Sequence, residues 1–352
     1  PETMLGDTGV AINPNDKRYK KYLGKSIILP IINKEIPIFA DEYVDMEFGT
    51  GCVKVTPAHD MNDYAMAQRN NLDIINIMHD DAKFNENVPK EYQNKDRFDV
   101  RKMVLVELEK NDFLLKTEEY THKVGHSERT DAIIEPRLSK QWFLKMEDLA
   151  QPALEVVKNK DVKFYPDRWE KIYNHWLNNI QDWCISRQLW WGHRIPVWYK
   201  NDEIYCGIKP PEGDGWTQEE DVLDTWFSSW IWPLATLGWP DKETDLNKFY
   251  PTQDLVTGPD IIFFWVARMI MSGIYFKDNI PFSNVYFTSI IRDESGRKMS
   301  KSLGNSPDAL ELFDKYGVDA VRISILMMAP QGLDIHFKED RLEQGRNFMN
   351  KL

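Results

Sequence analysis

The chain has 352 residues, 42% hydrophobic and 28% charged, with a net charge of −12. That length suggests two or three domains, and that composition excludes a disordered chain. The acidic balance excludes a general nucleic-acid coat, since phosphate binding needs positive charge; local patches such as Arg292, Arg297, Lys298 and Lys301 remain available.

The chain opens at Pro1-Glu2-Thr3-Met4 without an initiator methionine and closes at Asn350-Lys351-Leu352 inside a helical pattern. An internal piece of a longer protein is therefore expected. From Leu23 to Val55 short β-branched runs (Ile27-Ile28-Leu29, Ile36-Pro37-Ile38) alternate with turn residues and predict strands. Gly49-Thr50-Gly51 leads into a strand, Cys52 to Thr56, whose alternation puts Val53 and Val55 on one face and Cys52, Lys54 and Thr56 on the other. Pro57 ends it. Asp60 is placed to cap a helix running to about Asn70, and Asp63, three residues on, shares a helical face with it. A polar strand face thus meets a helix start carrying two carboxylates, which points to a site for a ligand amine or polar group.

A second helical pattern runs from Asp99 to about Leu115. The segment from Ile133 to Trp198 is mixed and rich in tryptophan, and residues 200–220 read as an acidic Gly/Pro-rich loop. Asp254-Leu255-Val256-Thr257 reads as a buried strand. It ends at Gly258-Pro259-Asp260, before an apolar helix from Ile261 to about Phe276. Strand, glycine turn and helix form the α/β arrangement that binds ligands at the carboxyl end of the strand. A further strand spans Val285 to Ile291, followed by a turn at Asp293 to Gly296. Ser306-Pro307-Asp308 then opens the next helix. No run of about 18 apolar residues is present, so no membrane-spanning helix is expected.

The three cysteines, Cys52, Cys184 and Cys206, are few, odd in number and far apart. A reduced, cytoplasmic protein is expected, with no disulfide framework. No CxxC occurs, and His122 and His126 have no further ligand nearby, so no metal is expected.

Lys298-Met299-Ser300-Lys301-Ser302, after a strand and before a capped helix, resembles the signature loop of class I aminoacyl-tRNA synthetases. Amino-acid activation displaces pyrophosphate from ATP, and mobile ammonium groups reaching it in the transition state raise the rate. The resemblance covers essentially the whole chain. PETMLGDT (1–8), GTGCVKVTPAHD (49–60), SRQLWWGHRIP (186–196), DTWFSS (224–229) and GPDIIFFWVAR (258–268) are all similar to valyl-tRNA synthetases. The isoleucyl relatives usually carry Asp where Ser228 stands and His where Lys54 stands, and both positions here match the valyl form. The fold implied is α/β: the second half of a class I Rossmann-type catalytic domain with a strand-rich α+β editing domain. The implied division is residues 1–130 for editing, 131–220 for the connection, 221–305 for the catalytic half, and 306–352 for a helical stem-contact region.

The resemblance also implies roles. Lys298, Ser300 and Lys301 would be catalytic, and Lys301, Gly258 and Asp260 would contact ATP, used with Mg2+. Trp226, Ile261 and Trp265 would wall the valine pocket; on pattern alone they read as core. A pocket shaped for valine cannot strongly reject threonine, so a second, hydrolytic site is needed. Thr3, Lys54, Thr56, Asp60 and Asp63 would line it, with a water as nucleophile. Asp60 also reads simply as a cap, and Lys54 as a solvated strand residue. Arg187, Gln188 and Trp191 would touch tRNA, although tryptophans filling an interdomain core fit as well. The partners implied are tRNA(Val), valine and ATP, without a membrane, and the full-length enzyme would be a monomer. The family's His-Ile-Gly-His motif is absent, since Lys123-Val124-Gly125-His126 lies after the editing strand. The chain is thus expected not to aminoacylate alone. The alternatives are an isoleucyl fragment and a tRNA-docking module without turnover.

Overall fold

The computed structural model describes residues 1–119, 121–127, 130–300, 303–330 and 332–352. The chain divides into two compact units, Pro1–Lys140 and Gln141–Leu352.

The first unit carries a sheet of β1 (Gly9–Ile12), β2 (Ser26–Leu29), β3 (Lys34–Ala40) and β4 (Cys52–Val55), in the order β2-β3-β1-β4. β1 runs parallel to β3 and antiparallel to β4, with Gly9 opposite Val55 and Ile12 opposite Cys52. Gly49 and Gly51 turn the chain into β4 at φ of 58° and 77°, a region glycine enters without the Cβ penalty. Alternation along β4 comes out as expected. Val55 is buried with Ala11, Val44 and Met66, and Val53 packs against them, while Lys54 faces out. Helix α1 (Met61–Asn70) begins where expected: the Asp60 side chain accepts from the Asn62 and Asp63 amides. It ends at Asn71 in the left-handed region, a common helix stop. Helix α2 (Arg97–Lys110) is capped by Asp96 and closes a second core around Phe84, Val100 and Val104.

The second unit is built on a parallel three-stranded sheet. Helix α3 (Glu147–Lys158) precedes β5 (Lys163–Tyr165), and α4 (Trp169–Asn178) follows it. Short strands β6 (Ser186–Arg187) and β7 (Val222–Leu223) pair antiparallel and lead into α5 (Thr225–Ser229). Then come β8 (Thr252–Thr257), α6 (Arg268–Lys277) and β9 (Phe282–Phe287). The parallel order is β8-β9-β5, with Val285 opposite both Leu255 and Phe164. The core gathers Phe164, Tyr173, Met269, Ile270, Val285 and Phe287. Tyr173 is fully buried, yet its hydroxyl donates to the Ala153 carbonyl at 2.9 Å, so burial leaves no orphan donor.

A smaller layer completes this unit. β10 (Ile291–Arg292) pairs in parallel with β11 (Ile335–His336). Helices α7 (Ala309–Tyr316), α8 (Val318–Met328) and α9 (Leu342–Met349) pack a satellite core of Leu312, Tyr316, Val321, Phe337 and Leu342.

Several expectations need correcting. β8 is a strand but not a buried one: only Thr257 is buried, and Val256 is 62% exposed, because β8 is the edge of the described sheet. Residues 200–220 are not a plain loop. Glu203–Cys206 and Thr217–Gln218 both pair with Val197–Lys200, the hairpin turning at Asn201 with φ of 53°. The apolar helix starts as a 3-10 turn (Pro259–Ile261), continues as a π-helix (Ile262–Ala267), and becomes α-helical only at Arg268. The 19-residue stretch Pro259–Lys277 has the length and composition to cross a membrane, and half of it is buried in this core. The strand expected from Val285 to Ile291 is two strands, β9 and β10. The helix expected at Ser306 starts at Ala309, capped by Asp308, whose carboxylate accepts from the Leu310 amide at 2.7 Å.

Candidate functional site

In the first unit one cavity of about 700 Å³ opens beside β4, and Thr3, Lys54, Thr56, His59, Asp60 and Asp63 all line it. The N-terminal turn and β4 are joined by the Thr8 amide, which donates to the Val55 carbonyl at 2.9 Å. This brings Thr3 and Asp7 under Lys54. The ammonium donates to Thr56 Oγ1 at 2.6 Å, Thr3 Oγ1 at 3.1 Å and Asp7 Oδ1 at 3.2 Å. Those are the three donors an ammonium has. The Thr56 hydroxyl passes its own proton toward Asp7 Oδ1 at 2.5 Å. Asp7 is 2% exposed. Burial raises its pKa, against the opposing pull of the Lys54 charge and the Thr56 hydrogen bond.

Two further carboxylates line the cavity. Asp63 accepts the Thr56 amide at 2.8 Å, and burial pushes its pKa up. Asp60 is exposed; one oxygen accepts the Asn62 and Asp63 amides. His59 is buried, and burial lowers its pKa. The cavity therefore offers a tethered ammonium together with carboxylates that suit a cationic group.

In the second unit the loop after β10 is shaped by Asp293 and Asn305. Asp293 accepts the Arg297 amide at 2.8 Å, the Arg297 guanidinium at 2.9 Å and the Asn305 amide at 2.9 Å. The Asn305 hydrogen bond, with the Arg297 donors, holds the Asp293 carboxyl down to about 2. Asn305 in turn accepts the Ser300 amide at 2.9 Å. The Ser300 hydroxyl accepts the Leu303 amide at 3.3 Å. Met299 packs on the satellite core, which anchors the loop between its lysines. The Lys298 ammonium donates to Asp260 Oδ2 at 2.8 Å. Gly258 makes room for this carboxylate, since a Cβ there would lie 2.7 Å from Asp260 Oδ1.

The family model for class I tRNA synthetases (I, L, M and V) matches residues 12–212 and 207–338. This chain belongs to the class I tRNA synthetases. The Valine--tRNA ligase of Fusobacterium nucleatum is 56% identical over 364 residues, covering all of this chain and 41% of that protein. The Valine--tRNA ligases of Chlorobaculum tepidum and Bacillus subtilis are each 53% identical, over 362 and 357 residues, covering all of this chain and 40% of each protein. The chain thus spans about two fifths of the length of these curated relatives.

Of the residues singled out from the sequence of this class I synthetase chain, Thr3, Lys54, Thr56, Asp60 and Asp63 converge on one cavity. Lys298, Gly258 and Asp260 also meet. Lys301 lies outside the described residues. Trp226 stacks on Phe264 at 5.8 Å, and the Trp265 indole donates to the Ser229 carbonyl at 2.9 Å, so both gather at α5. Ile261 sits where the 3-10 turn becomes π-helical, so the four-residue spacing to Trp265 is not one α-turn. Arg187 is engaged by Asp224 at 2.8 Å and by the Cys184 and Ser186 carbonyls. Gln188 bonds Gln141 and Asp221. Trp191 is 91% exposed.

Sequence reasoning missed Asp7, His59, Asp224 and Arg268. Asp224 joins Trp183, Arg187 and the start of α5. The Arg268 guanidinium lies 3.5 Å over the Trp183 ring, and burial lowers its pKa to about 10.

Proposed function

We propose that the first unit hydrolyses the ester of threonyl-tRNA(Val), and that the second is the signature-loop half of a valine-activating site in a full-length valine--tRNA ligase. The observation that carries this reading is the convergence of Thr3, Lys54, Thr56, Asp60 and Asp63 on one open cavity. The 53–56% identity to Valine--tRNA ligases supports the amino acid assigned.

Asp60, exposed at the cavity, binds the α-ammonium of the esterified amino acid by a charge-assisted bond. Thr3, Thr56 and Lys54 read the threonine hydroxyl or the terminal adenosine, giving up for the substrate hydrogen bonds that they make to one another in its absence. A water adds to the ester carbonyl, and the bond to the ribose oxygen breaks. That oxygen takes a proton from the attacking water, and threonine leaves. No covalent enzyme intermediate is needed. The positive charge of Lys54, fixed in place by Asp7, Thr3 and Thr56, electrostatically stabilises the oxyanion that forms.

In the full-length protein Asp260 and Gly258 face the adenosine of ATP, used with Mg2+, and Trp226, Ile261 and Trp265 wall the valine side chain. Lys298 leaves Asp260 and, with Lys301, neutralises the departing pyrophosphate. The partners are tRNA(Val), valine and ATP, in a cytoplasmic, monomeric enzyme without a structural metal. ATP–pyrophosphate exchange by the full-length protein tests this half. Valine is expected to drive exchange far faster than isoleucine, and Lys298→Ala to lower kcat by about 10²-fold. Equal exchange with the two amino acids would sink the valine assignment.

A further inference from the structure

His59 lines the cavity but neither belongs to the residues assigned above nor faces solvent, being 5% exposed. Its ring is bonded at both nitrogens. Nε2 lies 3.1 Å from the Ile77 amide, and Nδ1 lies 3.2 Å from the Pro136 carbonyl. A backbone amide only donates and a carbonyl only accepts. Nδ1 therefore carries the proton, Nε2 accepts, and the ring is neutral. The His59 amide also donates to the Thr56 carbonyl at 3.1 Å, closing the turn between β4 and α1. One side chain thus joins three segments: the turn before α1, the stretch at Ile77, and the stretch at Pro136.

We propose that His59 is the positioning residue of the hydrolytic cavity, pinning the turn that sets where Asp60 and Asp63 stand relative to Lys54. This rests on the hydrolytic reading of the first unit. Asp60 follows His59 directly, and its cap on α1 orients Asp63 through the amide of that residue. Release of the ring would free the turn and, with it, both carboxylates.

The pin fails when the ring takes a second proton, because Nε2–H would then face the Ile77 N–H. The charges around the ring oppose this. Lys54 on β4 and Arg137 beside Pro136 are both cations that disfavour protonation. The Ile77 stretch is neutral from Asn76 to Met78. From the α1 side come the carboxylates of Asp60 and Asp63, which share the cavity. The ordinary histidine value is near 6.5, and burial holds His59 below it. Between those two values the unfolded chain binds the proton and the folded unit does not. The contribution of His59 to stability is therefore complete above about 6.5 and is lost as pH falls through the folded value.

The test compares wild type, His59→Gln and His59→Ala in hydrolysis of threonyl-tRNA(Val) by this chain, from pH 5 to pH 8. The side-chain carbonyl of the introduced glutamine replaces the acceptor for the Ile77 amide and does not titrate. His59→Gln is expected to retain most of the wild-type rate at pH 7.5 and to lack the acid-side loss that wild type shows. His59→Ala is expected to lose tenfold or more in kcat/KM at every pH, with an unchanged circular dichroism spectrum. Identical pH profiles for wild type and His59→Gln, or wild-type activity in His59→Ala, would overturn the proposal. If wild type hydrolyses no ester at any pH, the hydrolytic reading itself fails. The pin is then judged by ¹⁵N NMR. The spectrum must show a neutral Nδ1–H ring at pH 7, and the Asp60 and Asp63 amide shifts must move on acidification in wild type but not in His59→Gln. A ring protonated on Nε2 at pH 7, or shifts that move alike in both, would end it.

Discussion

Asp7→Asn lowers hydrolysis of threonyl-tRNA(Val) by about 10²-fold, mostly in kcat, while the first unit stays folded. Asp7 is buried and is the only carboxylate whose oxygen receives both the Lys54 ammonium and the Thr56 hydroxyl among the described residues. The amide is the same size, so packing is kept. It removes the negative charge, however, and can turn a donor toward Lys54. The ammonium is then released from its place between Thr3 and Thr56, and the proposed oxyanion contact loses its preorganisation. Thr56→Val is expected to act in the same direction, because it removes the hydroxyl that accepts from Lys54 and donates to Asp7, leaving only their direct bond. The measurement is single-turnover hydrolysis of radiolabelled threonyl-tRNA(Val), with thermal unfolding as the control for folding. Wild-type kcat in Asp7→Asn would show that the Lys54 tether has no part in the reaction.

Phe287→Ala destabilises the second unit by about 3–5 kcal/mol. Phe287 is fully buried at the carboxyl end of β9, edge-on to Phe164 with ring centres 5.5 Å apart, and close to Trp169 at 5.7 Å. A cavity there loses contacts with both the sheet and α4. Since a domain is typically stable by about 5–15 kcal/mol, this loss is a large share of the whole. All 13 tryptophans fall in the second unit, so tryptophan fluorescence in urea reports that unit alone. The midpoint is expected to fall sharply, while hydrolysis by the first unit, which has cores of its own, persists in low urea. An unchanged midpoint would contradict the packing described around β9.

What was legible in the sequence was local. Asp60 as a cap, the Gly49–Gly51 turn and the alternation of Val53 and Val55 all depend on neighbours within a few residues, and each is found in the structure. The signature loop was legible as a string. Its anchoring was not, because Met299 packs on helices that follow it and Asp293 clasps Asn305 across twelve residues. Asp7 was invisible for a stronger reason. It meets Lys54 only because the Thr8 amide closes on Val55, 47 residues away in sequence. His59 likewise gains its role from Ile77 and Pro136, and no short spacing signals either contact. The helix after Gly258 misled because an apolar run carries no sign of its hydrogen-bond register, and six residues of π-helix there shift the expected face of Trp265. Exposure of β8 follows from its place at the sheet edge, which periodicity does not reveal.

The most direct test of hydrolytic editing by the first unit is the rate at which this chain hydrolyses threonyl-tRNA(Val) compared with valyl-tRNA(Val). Rapid loss of threonine, persistence of the valyl ester, and loss of the difference in Lys54→Met are expected. Equal rates for the two esters, or hydrolysis of neither by a folded first unit, would contradict it.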